Sequence, residues 1–163
     1  MKENHTKKTK SFGDYIRDVS ENLLFGLFTL MVIIVFINVV ARYVFNSSIV
    51  ESEEIARYCF IWASLIGAVL ALEKGEHISV DFVVKMLPPA IQKWTLVAGN
   101  VLIMILAGIS IRYGWILAAS TFGWPSPATR IPYGYIGLII PITFLAMFVI
   151  LIRNTVNILS GKP

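Results

Sequence analysis

The chain has 163 residues, of which 56% are hydrophobic and only 15% charged, with a mean hydropathy of +0.74 and a formal net charge of +4. Soluble domains carry about a quarter charged residues, so this composition excludes a soluble globular domain and implies an integral membrane protein. The single cysteine, Cys59, excludes an intrachain disulfide framework and a cysteine-based metal cluster, and nothing implies nucleic acid as a partner.

Residues 1–11 show no periodicity and are expected to form a disordered basic tail. Residues 12–163 read as a single all-α membrane domain with four transmembrane helices over about 22–44, 53–74, 90–112 and 131–153. Each is long enough to cross a hydrocarbon core of about 30 Å at about 1.5 Å per residue. The basic start is like that of a signal peptide, but the apolar block after it is too long and lacks a small-residue cleavage site, so it reads as an uncleaved first helix. Ten Lys and Arg residues fall in the N-tail, central loop and C-tail against four in the other two loops. Both termini are therefore expected to be cytoplasmic.

Before the first span, Phe12, Tyr15, Ile16, Val19 and Leu23 recur at helical spacing opposite Asp14, Arg17, Asp18 and Glu21. This pattern predicts a short interfacial helix, or else a solvated helical extension. Asn38 and Arg42 then share a helix face near the outer end, with Arg42 either an interfacial anchor or part of a helix contact. At the start of the second span, Ser52 is placed to cap free N–H groups, and Glu53 and Glu54 complement the helix dipole. Alternatively, one of these acids pairs with Arg42 or Arg57, closing the turn or bridging to a partner. Within this helix Ala63, Gly67, Ala71 and Gly75 form a small-residue stripe that fits either a subunit interface or an internal helix contact.

The central loop is largely apolar, and Ser79 is placed to cap a short interfacial helix that ends at Pro88. His77 and Asp81 lie four residues apart, a spacing that fits a structural hydrogen bond better than a metal site. The third helix starts at Pro89 and carries one deep amide, Asn100, expected to bond a neighbouring helix. The segment FGWPSPATRIPYG has three prolines, which predicts a structured, non-helical outer turn able to present a surface. The fourth span is expected to bend near Pro141.

Several transport and redox chemistries are disfavoured. His5 and His77, the only histidines, lie outside the spans, which argues against haem ligation. One cysteine cannot run thiol–quinone exchange. No span has an Asp or Glu in its middle, unlike a self-sufficient proton-coupled exporter. The chain reads as a support for a larger membrane partner rather than as an enzyme, and needs no cofactor of its own. Two other classes remain: an independent homo-oligomeric carrier or channel, and a membrane assembly factor.

In order along the chain, RYVFNSS, ESEEIARY, GAVLALEKGEHISVD, LPP and SPATRIP resemble the small membrane subunit, DctQ-like, of tripartite ATP-independent periplasmic (TRAP) transporters. The resemblance runs from about Asp14 to Arg153. It implies a scaffold for a large membrane subunit that imports organic acids, of the dicarboxylate or sialic acid class, by an elevator-like movement driven by sodium. A soluble periplasmic protein delivers the substrate, and the sodium ions bind in the large partner. The resemblance also implies architectural or interface roles for Arg42, Tyr43, Glu53, Glu54, Arg57, His77 and Asp81. Arg130 stands where an uncharged residue is expected in many relatives.

Overall fold

The computed structural model describes residues 12–74 and 88–160. The expected basic tail, the central-loop helix, His77 and Asp81 lie outside the described residues. The described chain forms α1 (Phe12–Val44), α2 (Val50–Lys74), α3 (Pro89–Thr121), α4 (Tyr133–Gly137) and α5 (Ile139–Ser160). Among the described residues, four stretches are long and apolar enough to cross a membrane: Tyr15–Val44, Val50–Lys74, Ile91–Thr121 and Tyr133–Ser160.

The elements differ from the expected spans mainly at their ends. Helix α1 runs for 33 residues without interruption, so the segment expected as a separate interfacial helix is continuous with the first span. No proline or second start signal lies within it to break the backbone ladder. Helix α3 likewise continues to Thr121, up to the edge of the proline-rich turn. The fourth span is interrupted at Leu138, between α4 and α5. Pro141 accounts for the position: it has no N–H to offer the Gly137 carbonyl, and its ring crowds that carbonyl. The Leu138 amide still bonds Gly134 O at 3.0 Å, and the Ile142 amide bonds Leu138 O at 3.4 Å, so the chain direction is carried across the break.

The helices pack as a row in the order α1, α2, α5, α3. Helices α1 and α2 are antiparallel, as are α3 and α5, while α2 and α5 descend side by side. The starts of α1 and α3 and the ends of α2 and α5 therefore share one end of the row. Lys74 meets Glu21 at 3.2 Å there, and Lys93 Nζ donates to Leu159 O at 3.3 Å. At the centre of the row Ile66, Leu70 and Ile139 form a buried cluster flanked by Leu24, Leu27, Trp62 and Leu65. The edge helices leave most of their apolar side chains exposed, as with Phe25, Phe36, Leu102 and Leu106. In a bilayer such surface is met by lipid tails or by another membrane protein.

Apolar burial contributes little to helix association in lipid, so close packing and polar contacts carry it. Helix α3 meets α4 and α5 along Gly114, Ala118, Gly134 and Gly137; a Cβ would not fit at Gly114 or Gly134 without displacing a neighbour, whereas at Gly137 it would make an ordinary contact with Ala118. Besides the Lys93–Leu159 contact at the helix ends, α3 and α5 are joined deeper in the span: Asn100 Nδ2 donates to Thr155 Oγ1 at 3.2 Å, the interhelical bond expected of that amide. Asn100→Leu is expected to cost about 0.6 kcal/mol, and no more than about 1.7 kcal/mol, in unfolding measured in bicelles. A larger loss would show that the amide has a second task.

Candidate functional site

The polar side chains that hold the fold together gather at the opposite end of the row, where α1 turns into α2 and α3 turns into α4. After Val44 the amides of Phe45 and Ser47 both bond Ala41 O, at 3.1 and 3.2 Å. Asn46 between them takes a left-handed conformation with φ of 52°. Asparagine tolerates that conformation better than most residues and closes helices in the manner of glycine. The chain then returns directly into α2.

Asn38, buried on α1, reaches across this turn. Its Oδ1 accepts the Ile49 N–H at 3.0 Å, and its Nδ2 donates to Glu53 Oε1 at 3.3 Å. The amide just ahead of α2 is thus satisfied from the neighbouring helix. This corrects the expected role of Ser52. Because α2 begins at Val50, Ser52 lies inside the first turn, and its hydroxyl donates back to Ile49 O at 2.6 Å instead of capping.

The proline-rich turn folds back on itself as a narrow loop. Pro125 and Pro132 are bridged in antiparallel fashion. The Tyr133 amide bonds Trp124 O at 3.1 Å, the Ser126 amide bonds Ile131 O at 3.0 Å, and the Arg130 amide bonds Ser126 O at 3.2 Å. Arg130 is left-handed, with φ of 57°, and exposed.

Glu54 of α2 closes on this loop. Its Oε2 accepts the Thr129 N–H at 2.8 Å, and its Oε1 accepts the hydroxyls of Ser126 and Tyr58. Since the Ser126 proton is committed to Glu54, the Thr129 hydroxyl at 3.1 Å must donate to Ser126 Oγ. Glu54 is 8% exposed and Ser126 is 2% exposed. An ionised carboxylate is an acceptor only, and here it collects donors from the loop backbone, a loop side chain and its own helix. The result is a clasp that ties the α1–α2 hairpin to the α3–α4 turn.

The other residues singled out in the sequence are placed as follows. Arg42, Tyr43, Glu53 and Arg57 are exposed, Tyr43 to 82%. Among the described residues, neither Arg42 nor Arg57 forms an ion pair with Glu53 or Glu54, so in place of the alternative of charge pairing within this turn the structure has the Asn38 and Ser126/Thr129 contacts. Successive helix residues point about 100° apart, so Glu53 and Glu54 meet different neighbours. Glu53, Glu54 and Arg57 do share a shallow cavity of about 170 Å³ with Pro127, Ala128 and Tyr133. Ala63 is buried, while Gly67 faces Leu24 of α1, close enough that an added Cβ would lie 3.8 Å from it, and lines the α1–α2 groove together with Ala71. Within the described chain, the stripe thus faces α1 at Gly67. Among the described residues, no group of three His, Cys, Asp or Glu side chains could hold a metal ion.

Sequence reading found Glu54 and the turn separately but not their contact. Ser126 and Thr129 lie 72 and 75 residues from Glu54, beyond the reach of any local spacing rule. Their one sequence signal was the presence of two hydroxyl residues, three apart, in a turn that also holds three prolines and two glycines.

Similarity to known proteins agrees with this architecture. The family model for tripartite ATP-independent periplasmic transporters, DctQ component, matches residues 31–161. A TRAP transporter small permease protein of Haemophilus influenzae is 37% identical over 125 residues, covering 77% of this chain and 78% of the relative. A second from the same organism is 32% identical over 144 residues, covering 88% and 87%. The sialic acid TRAP transporter permease protein SiaT of H. influenzae is 29% identical over 150 residues, which is 91% of this chain but 24% of SiaT. The chain therefore belongs to the DctQ component family of TRAP transporters, as a multi-pass small permease subunit of the bacterial inner membrane and not an enzyme.

Proposed function

We propose that this chain is the scaffold subunit of a sodium-coupled TRAP transporter for organic acids of the dicarboxylate or sialic acid class. It binds a large membrane subunit that holds the substrate and sodium sites, and a periplasmic binding protein supplies substrate. In this reading both termini are cytoplasmic and the clasp faces the periplasm, as the distribution of Lys and Arg favours.

The observation that carries the proposal is the position of the acids. Among the described residues no Asp or Glu lies midway along a span, and the buried Glu54 is taken up by the proline-rich turn. Ion-coupled carriers place ionisable or coordinating groups within the membrane. The match to one quarter of SiaT supports a large partner, because there a segment like this chain belongs to a much longer permease. The exposed apolar faces of α1 and α3 offer surface for such a partner.

Proteoliposomes test this directly. The purified chain alone is expected to take up no organic acid under an inward sodium gradient. The complex with the large subunit is expected to do so when substrate-loaded binding protein is added. Uptake by the chain alone would overturn the proposal in favour of an independent carrier.

A further inference from the structure

A surface loop does not need a buried carboxylate to remain folded, since loops are commonly mobile and bond to water. The proline-rich turn already has its own backbone bonds between Trp124 and Tyr133 and between Ser126 and Ile131. Glu54 adds a second constraint at the tip. It holds the Thr129 N–H at 2.8 Å, and the next residue, Arg130, sits at φ of 57°. A left-handed arginine is unfavourable in isolation and persists only where its surroundings impose it. The same tip exposes Trp124 and Pro127, and the exposed Arg57 lies across the cavity from Pro127. The fixed loop thus presents one cation, Arg130, among largely apolar side chains, and the cavity beside it carries both Arg57 and the exposed Glu53.

We propose that Glu54 is a positioning residue: through Ser126 and Thr129 it presets the proline-rich turn so that Arg130 meets acidic groups of the periplasmic binding protein. This inference rests on the proposed function above, including the periplasmic placement of the clasp. A folded protein is favoured as the partner over a lipid headgroup because only a partner of fixed shape rewards a loop ordered in advance. A fluid headgroup would adjust to a mobile arginine equally well.

The test measures uptake by the complete complex in proteoliposomes as the concentration of substrate-loaded binding protein is raised. Glu54→Gln, Ser126→Ala and Arg130→Asn are compared with the unaltered complex, asparagine being chosen because it accepts the left-handed conformation without the charge. Arg130→Asn and Glu54→Gln are each expected to raise the half-saturating concentration about tenfold, with a much smaller change in the saturated rate. Ser126→Ala should give a smaller shift. The double variant Glu54→Gln/Arg130→Asn should be no worse than the poorer single one, because one residue acts through the other. Added salt should raise half-saturation in the unaltered complex and leave Arg130→Asn nearly unaffected.

A purely structural clasp would lower the yield of complex without moving half-saturation, and that result would overturn the inference. So would variants whose uptake follows the anionic lipid content of the vesicles instead of the binding protein. If Glu54→Gln yields no complex, Ser126→Ala and Arg130→Asn decide the matter. Dependence on binding protein in the unaltered complex with no shift in the variants defeats this inference alone. No such dependence in the unaltered complex defeats the proposed function as well.

Discussion

Gly134→Ala is expected to lower the unfolding free energy of the solubilised protein by about 1–3 kcal/mol, toward the upper end of what overpacking costs. A Cβ on Gly134 would lie 2.6 Å from Phe122 Cγ and 2.8 Å from Ala118 O. Neither neighbour can yield cheaply. Ala118 O belongs to the backbone of α3, and the Phe122 ring is held edge-on against Tyr135 at 5.1 Å. Helix α4 must therefore lift away from α3. Because the adjacent Tyr133 amide bonds Trp124 O, that movement passes directly into the proline-rich turn. Gly67→Ala supplies the contrast. Its Cβ would meet Leu24 at 3.8 Å, an ordinary contact, so the substitution should stabilise α2 by about 0.5–1 kcal/mol through helix propensity. Thermal unfolding in detergent measures both. If the two substitutions behave alike, the close approach at Gly134 does not govern the fold.

That contrast shows what the sequence could and could not disclose. The four spans were legible because a bilayer imposes a local requirement, a run of apolar residues long enough to cross it. The Asn100 contact was legible for a similar reason, since an amide at that depth needs a partner on another helix. The stripe Ala63, Gly67, Ala71 was also visible as small residues on one face, but spacing cannot say how near the next helix comes. The tightest approaches fall at Gly114 and Gly134. Gly114 does sit in a small-residue repeat, with Ser110 and Ala118 four residues to either side on α3, but Gly134 lies in the short α4 outside any such repeat, and its closeness depends on how α4 meets α3. The start of α2 was misjudged because the acceptor for Ile49 N–H is Asn38 on another helix, which left Ser52 free for a different bond. Arg42 and Arg57 are the obvious charge partners for Glu53 and Glu54 by proximity along the chain. In three dimensions neutral donors occupy those positions instead.

Glu54→Ala is expected to destabilise the clasp end far more than Glu53→Ala, although the two acids are adjacent. Glu53 is exposed and has one long bond, from Asn38 at 3.3 Å, which water can replace. Removing Glu54 strands the Ser126 hydroxyl, the Thr129 amide and the Tyr58 hydroxyl together. The hydroxyls can turn toward other acceptors, but the Thr129 amide is fixed by the backbone, and Ser126 is almost wholly buried. Unsatisfied buried donors cost more than the bonds themselves contribute. The loss should therefore fall in the order Glu54→Ala, Tyr58→Phe, Glu53→Ala. The double variant Glu54→Ala/Ser126→Ala should be less damaged than the sum of its parts, because it removes one stranded donor along with the acceptor. Labelling of a cysteine placed at Ala128, with Cys59 replaced by serine, reads the loop independently of global unfolding and should accelerate in Glu54→Ala but not in Glu53→Ala. Equal effects of the two acids would return Glu54 to the role of a charge complementing the start of α2. Unequal effects in this order identify the carboxylate as the tie between the two helical hairpins.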